Sequence, residues 1–277
     1  MTAQSHYSEA YLNKYNGDRA IACGVVFIVL EALLVSLRFY ARSVKRVPWG
    51  WDDVLVVGAA LFSYGTIATC LVDVFVGGVG HHMPYVQMHS PKKLETWAKM
   101  TVVIPLMYLP AVALPKLSII ALYLRIFSDR ANRAVCWITA GLVIGNCIGS
   151  MVTAFVACVP FEFLWNRKLP GGGRCIDFNA WYRWSSLMNI LTDLVMLVVP
   201  IPVMLSLQAS VKMKIGVIAT FAVGSSGLVT AIIRFVGFFS EDMSKDGTWT
   251  ATRLIILTIM EPGFYLFAAC LVCLKPL

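Results

Sequence analysis

The chain has 277 residues, of which 58% are hydrophobic and only 14% charged, whereas soluble domains carry about 25% charged residues. A water-soluble globular fold is therefore excluded. The formal charge of +8 does not point to nucleic acid, because Lys and Arg sit mostly in loops and at the ends of apolar runs, where anionic lipid headgroups are the natural partners.

In chain order, residues 1–19 read as a short extracellular amino terminus. Glu9, Asp18 and several hydroxyls stand where a signal peptide needs a basic start and an apolar stretch, so the first apolar run is an uncleaved anchor. Neither a Gly at position 2 nor a Cys four from the end provides a lipidation signal. Residues 20–277 form the membrane domain, read as seven runs: Ala20–Tyr40, Val54–Val76, Met100–Phe127, Ala134–Val159, Trp181–Leu207, Val211–Phe239 and Leu254–Leu274. A crossing needs roughly 20 apolar residues. Runs of this length without dyad alternation satisfy their backbone groups as helices, so the fold class is all-α, a polytopic seven-transmembrane helix bundle.

Lys and Arg divide almost evenly between the two sets of loops, but their density does not. Arg42, Lys45 and Arg46, then Arg125, Arg130 and Arg133, then Lys212 and Lys214 crowd short loops on one side, while acids dilute the longer loops of the other. The crowded side is taken as cytoplasmic. Cys158 and Cys175 bracket the fourth-to-fifth-helix loop, which then faces an oxidising compartment. A disulfide there is expected, with two free thiols as the alternative. The remaining cysteines lie in or beside helices, where Cys behaves as a small apolar residue.

Charges inside hydrocarbon cost several kcal/mol and need pairing or a function. Glu31, Lys116, Asp193, Arg234 and Glu261 lie at depth, while Asp73 near the outer end of its helix is expected to reach the interface. Residues three and four apart share a face. That places Ser185, Asn189, Thr192 and Asp193 on one stripe, Ser226, Thr230 and Arg234 on another, Thr258, Glu261 and Tyr265 on a third, and Tyr108, Val112 and Lys116 on a fourth. All should face the bundle interior. The expected ion pairs are Arg234 with Glu261 and Lys116 with Asp193, leaving Glu31 hydrogen-bonded or protonated. These pairs either staple helices together or line a ligand pocket or proton path. Pro105, Pro110 and Pro115 each remove a backbone donor; Pro115 frees the carbonyl of Ala111, so a cavity beside Lys116 is expected. Pro262 adjoins Glu261 in the same way.

Several chemistries find no support. A retinal Schiff base needs a lysine at mid-depth on the last helix, and this one has none before Lys275. His81, His82 and His89 lack a metal-binding frame, so no metal and no cofactor are expected. No nucleophile elbow, phosphate loop or dinucleotide fingerprint is present. Asp52 and Asp53 open a helix, where carboxylates favour the positive end of its dipole.

A set of segments carries a likeness to a known group. They are Arg38 and Arg42, Trp51-Asp52-Asp53, Gly78-Val79-Gly80-His81, and the stretch from Lys116-Leu117-Ser118 to Arg125-Ile126-Phe127. Cys158 with Pro160, Trp165 and Cys175 follow, then Asn189 with Asp193, Pro200-Ile201-Pro202, Phe221 with Gly224, Arg234, Glu261, and Leu274-Lys275-Pro276-Leu277. Their order and spacing resemble the fungal rhodopsin-domain integral membrane family, which includes appressorium-receptor-like proteins and membrane proteins of satratoxin-type metabolite clusters. The resemblance implies seven helices, an extracellular amino terminus and no agreed catalytic residues. Relatives commonly continue into a long polar tail, which this chain lacks, so tail-based signalling is not expected.

The reading favoured is a non-photoactive receptor-like or accessory protein in the plasma membrane or an endomembrane, binding a small apolar ligand within a secondary-metabolite pathway. Its buried polar cluster is Glu31, Tyr108, Lys116, Asn189, Asp193, Arg234 and Glu261. The alternatives are a membrane-embedded cyclase or isomerase with Asp193 or Glu261 as proton donor and, third, a transporter.

Overall fold

A computed structural model describes residues 8–46, 50–127, 129–167, 169–201, 211–240 and 243–273. Pro202 of the Pro200–Pro202 motif, the terminal Leu274–Leu277 motif and the side chains of Lys212 and Lys214 lie outside the described residues.

The helices are α1 (Glu9–Leu12), α2 (Asp18–Lys45), α3 (Trp51–Phe75), α4 (Met83–His89), α5 (Pro91–Ile126), α6 (Arg130–Phe155), α7 (Phe178–Val198), α8 (Val211–Ser240) and α9 (Met243–Cys273). A two-residue antiparallel pair, β1 (Cys158–Val159) and β2 (Arg174–Cys175), interrupts them between α6 and α7. The chain is an all-α, multi-pass membrane bundle. Its outside shows why: Val29, Leu33, Tyr40, Leu61, Trp137 and Trp184 are each at least 60% exposed. Patches of that kind are rare on soluble monomers and fit acyl chains.

Six described helices are long and apolar enough to cross a membrane. The fifth expected run, Trp181–Leu207, differs. It yields α7, whose mean hydropathy falls below that of the other six because Arg183, Ser185, Ser186, Asn189, Thr192 and Asp193 occupy it; residues 202–207 of the run lie outside the described residues. It still packs against α6 and α8 as the seventh long helix. The most central helix is α9, whose apolar stretch is mostly buried whereas that of α2 mostly faces outwards, and it touches α2, α3, α5 and α8.

Local chemistry sets the helix ends. Asp129 and Asp177 cap α6 and α7, Asp177 Oδ1 accepting from the N–H groups of Asn179 (2.9 Å) and Ala180 (3.2 Å). Pro91 opens α5 at its first turn, where its missing N–H costs nothing. On the amino-terminal face of the bundle, Gly80 (φ +105°) brings three segments together. Its carbonyl accepts from Asn16 N–H and its N–H donates to Thr248 O, each at 3.1 Å, and a Cβ there would fall 2.6 Å from the Tyr15 ring. Asp246, with φ −146° and ψ 58° inside α9, accepts from Met83 N–H (2.8 Å) and Tyr11 OH (3.1 Å) and pairs with His82.

Candidate functional site

Two buried ionic clusters tie the bundle together. At the end opposite the amino terminus, Arg38 on α2 donates to Asp53 Oδ1 through Nε (3.1 Å) and to Asp52 Oδ2 through Nη2 (2.7 Å), and its Nη1 reaches Ala269 O on α9 (2.7 Å). Arg42 pairs with both carboxylates. Asp53 also accepts from Gly50 N–H at 3.1 Å, so the helix-opening role expected of it holds, with ion pairing added. Sequence reasoning missed this cluster. The signal was two basic residues four apart at the end of one helix and two adjacent acids at the start of the next, which a short connection holds at the same depth.

The second cluster lies among α5, α7, α8 and α9. Lys116 Nζ stands 2.6 Å from Asp193 Oδ1 and donates to Asn189 Oδ1 at 2.6 Å. Tyr265 OH donates to Asp193 Oδ2 at 2.6 Å. Asn189 Nδ2 donates to Glu261 Oε1 (2.6 Å), Arg234 Nε to Glu261 Oε2 (2.9 Å) and Arg234 Nη2 to Tyr108 OH (2.5 Å). The Lys116 ammonium lies 4.8 Å from the Tyr265 ring centroid and the Arg234 guanidinium 4.6 Å from that of Tyr108. Two bases and two acids thus neutralise each other in one continuous network, with the ion pairs that helical periodicity predicts. Their burial is complete enough that only such pairing makes it tolerable: Lys116 is 1% and Glu261 0% exposed.

Glu31 is separate from this network. Ser63 Oγ donates to its Oε1 at 2.7 Å, and its Oε2 has no hydrogen-bond partner among the described residues. Asp73 departs from expectation. Instead of reaching the interface it is 3% exposed. Gly77, one turn on, leaves room for the carboxyl, since a Cβ there would fall 2.0 Å from Asp73 Oδ1.

A cavity of about 140 Å³ runs beside the second cluster. Its wall follows α5 from Trp97 to Lys116, which at 1.5 Å per residue is about 28 Å of helix. Ile104, Leu109, Val112, Leu254 and Ile255 supply apolar surface, while Tyr108, Lys116, Asn189 and Arg234 supply polar atoms; Asp193 and Glu261 stand behind them and are absent from the lining. The cavity expected beside Lys116 is therefore present. A wider recess of about 860 Å³ lies next to it, under the β1–β2 hairpin, and Trp97, Thr101 and Tyr182 line both spaces. Tyr182 OH donates to Thr101 O at 2.9 Å across their seam. The hairpin is closed by the Cys158–Cys175 disulfide.

The loop histidines sit apart from both clusters. His81 stacks between Tyr15 and Tyr85, and burial, helped by Lys93 and His82, lowers its pKa from the usual imidazole value. His89 stacks on Tyr85, and His82 lies between the Tyr11 and Trp249 rings. Among the described residues no three His, Cys, Asp or Glu side chains gather as a metal-binding group.

A seven-helix membrane bundle with a polar network beside an interhelical cavity is the class that fold and site define. The sequence model of the fungal rhodopsin domain matches residues 37–277, and the chain belongs to that family. It is 34% identical over 273 residues to the polyenoic acids biosynthesis gene cluster protein Ba17b of Metarhizium anisopliae, covering 95% of this chain and 74% of that protein. It is 29% identical over 212 residues to a SAT4 family membrane protein of Emericella nidulans (75% and 50%) and 27% identical over 222 residues to the receptor GIN3 of Arthrobotrys oligospora (76% and 50%). The chain therefore spans half the length of the last two relatives. No solved structure matches it.

Proposed function

We propose that this protein is a non-photoactive, receptor-like or accessory membrane protein that holds a small, mainly apolar ligand in the cavity between α5, α7 and α9. The observation that carries this reading is the cavity itself: an apolar channel whose few polar atoms converge from helices already locked by ion pairs. Preformed apolar pockets with a small number of placed polar groups suit small-molecule binding. A setting in secondary metabolism rests on relatives named for biosynthesis clusters, and the receptor-like role on the relative named a receptor. The amino-terminal face is assigned to the outside, because the disulfide-bearing hairpin lies there and needs an oxidising compartment, while Arg125, Arg130 and Arg133 lie at the opposite end. On this reading residues 1–19 are on the extracellular side.

The enzyme alternative asks a carboxylic acid to meet a substrate. Asp193 and Glu261, the acids named for that role, both stand behind the bases that they neutralise, which speaks against either of them as the proton donor. The test is mass spectrometry of protein purified from its native host in lipid nanodiscs. A small molecule should accompany the wild type and be lost from Ala113→Phe, which fills the cavity. Retention in both proteins contradicts the assignment, and accumulation of a precursor in cells carrying Asp193→Asn would favour the enzyme instead.

A further inference from the structure

Among the described residues, each Lys, Arg, Asp or Glu on the cavity wall has its counter-charge behind it except one. Lys116 and Arg234 are matched by Asp193 and Glu261. Asp73 lines the same wall and is 3% exposed; among the described residues its Oδ1 has no hydrogen-bond partner and no base stands within ion-pair distance of it. Glu31 also has a buried oxygen without a partner, but it lies outside the cavity lining, against Ser63 and Gly263. A buried carboxyl oxygen without a donor is costly, and a donor that arrives with a ligand removes that cost. Position adds to the argument. Asp73 lies in the last turn of α3, two residues before its end, towards the amino-terminal face, while Lys116 and Asn189 lie deeper. The wall between them is largely apolar.

We propose that the ligand is an elongated amphiphile whose terminal hydrogen-bond donor, an ammonium or a hydroxyl, seats on the Asp73 carboxyl while its chain runs along α5 towards Lys116. This rests on the cavity reading above and names the chemical class that the cavity takes. An ammonium makes a charge-assisted hydrogen bond there, a hydroxyl makes a neutral one, and an ionised carboxylate brings like charge against like. The head lies near the interface and the tail at depth, the arrangement an amphiphile already has in the surrounding leaflet.

The experiment titrates the full chain in nanodiscs with hexadecylamine, hexadecanol and hexadecanoic acid and follows the thermal midpoint, with Ala113→Phe as the control for effects on bulk lipid. In the wild type the amine should half-saturate at about one tenth of the concentration needed by the acid, with the alcohol between them. Asp73→Asn nearly preserves shape and removes the carboxyl that an ammonium would pair with. It should weaken the amine about tenfold and leave the acid unchanged or improved. Preference for the acid in the wild type, or an amine preference that survives in Asp73→Asn, overturns the assignment of Asp73 and leaves the cavity reading standing. Absence of saturable stabilisation by all three probes overturns both.

Discussion

The two ionic clusters contain the same kinds of residue and differ in what lies beside them. Arg38, Arg42, Asp52 and Asp53 close on one another and on Ala269 O, and none of them appears in the cavity lining. Lys116, Asp193, Arg234 and Glu261 are equally well paired, yet their bases face a channel with apolar walls. Burial of charge therefore does not by itself mark a site in this protein. The closed cluster fastens α2 to α3 and α9, and the open one fastens four helices while leaving room among them.

The largest effects should come from leaving one charge of a buried set without its partner. Arg38→Met leaves Arg42 alone to balance Asp52 and Asp53, so that one buried carboxylate lacks a counter-charge, and should cost about 3–5 kcal/mol of stability, seen as loss of monodisperse protein in detergent. Lys116→Met should cost a similar amount by stranding Asp193. Lys116→Met combined with Asp193→Leu should recover most of it, because a neutral pair of similar volume restores compensation. Failure of the second change to rescue the first would break the pairing account, and double-mutant analysis of thermal midpoints measures it.

Next in size is the hairpin over the recess. Cys158→Ser opens a loop with a sequence separation of 17 and should cost about 3 kcal/mol; a reducing agent should bring the wild-type midpoint down to that of the variant. A smaller effect is expected from filling the open cluster's cavity: Ala113→Phe should leave folding nearly intact while abolishing stabilisation by an amphiphile, whereas Asp52→Asn at the closed cluster should lower stability and leave that stabilisation in place. The smallest effect belongs to His81. Its pKa is lowered in the folded state, so the folded form binds fewer protons than the unfolded form near neutral pH. Its contribution is present above the unfolded imidazole value and is lost as pH falls below it. The midpoint should drop slightly more between pH 7 and pH 5 in the wild type than in His81→Gln.

Much of this architecture is legible in the sequence because lipid imposes strong rules. Long apolar runs predict the helices, and polar stripes at helical spacing predict which faces turn inward, so Lys116–Asp193 and Arg234–Glu261 emerge from charge balance and depth alone. What escapes is set by geometry between elements. The Arg38 cluster needs the relative depth of α2 and α3, which Arg42 and Asp52 hint at only once the helices are known to be antiparallel neighbours. Asp73 reads as interfacial from its place near a helix end, and is buried where Gly77 leaves space for it and the chain turns back so that Val79 N–H donates to Asp73 O (3.4 Å). The fifth run reads as an ordinary span, whereas its polar stripe makes α7 less apolar than its neighbours. The cavity walls assemble from six helices, and no single segment announces them.

The measurement that bears most directly on the open cluster is the thermal midpoint of the nanodisc-embedded protein as hexadecanol is added, read in the wild type and in Ala113→Phe. A saturable rise in the wild type, and none in the filled variant, is the predicted result. Equal responses in both proteins would mean that the space beside Lys116 and Arg234 holds no ligand, and that the second cluster is a staple like the first.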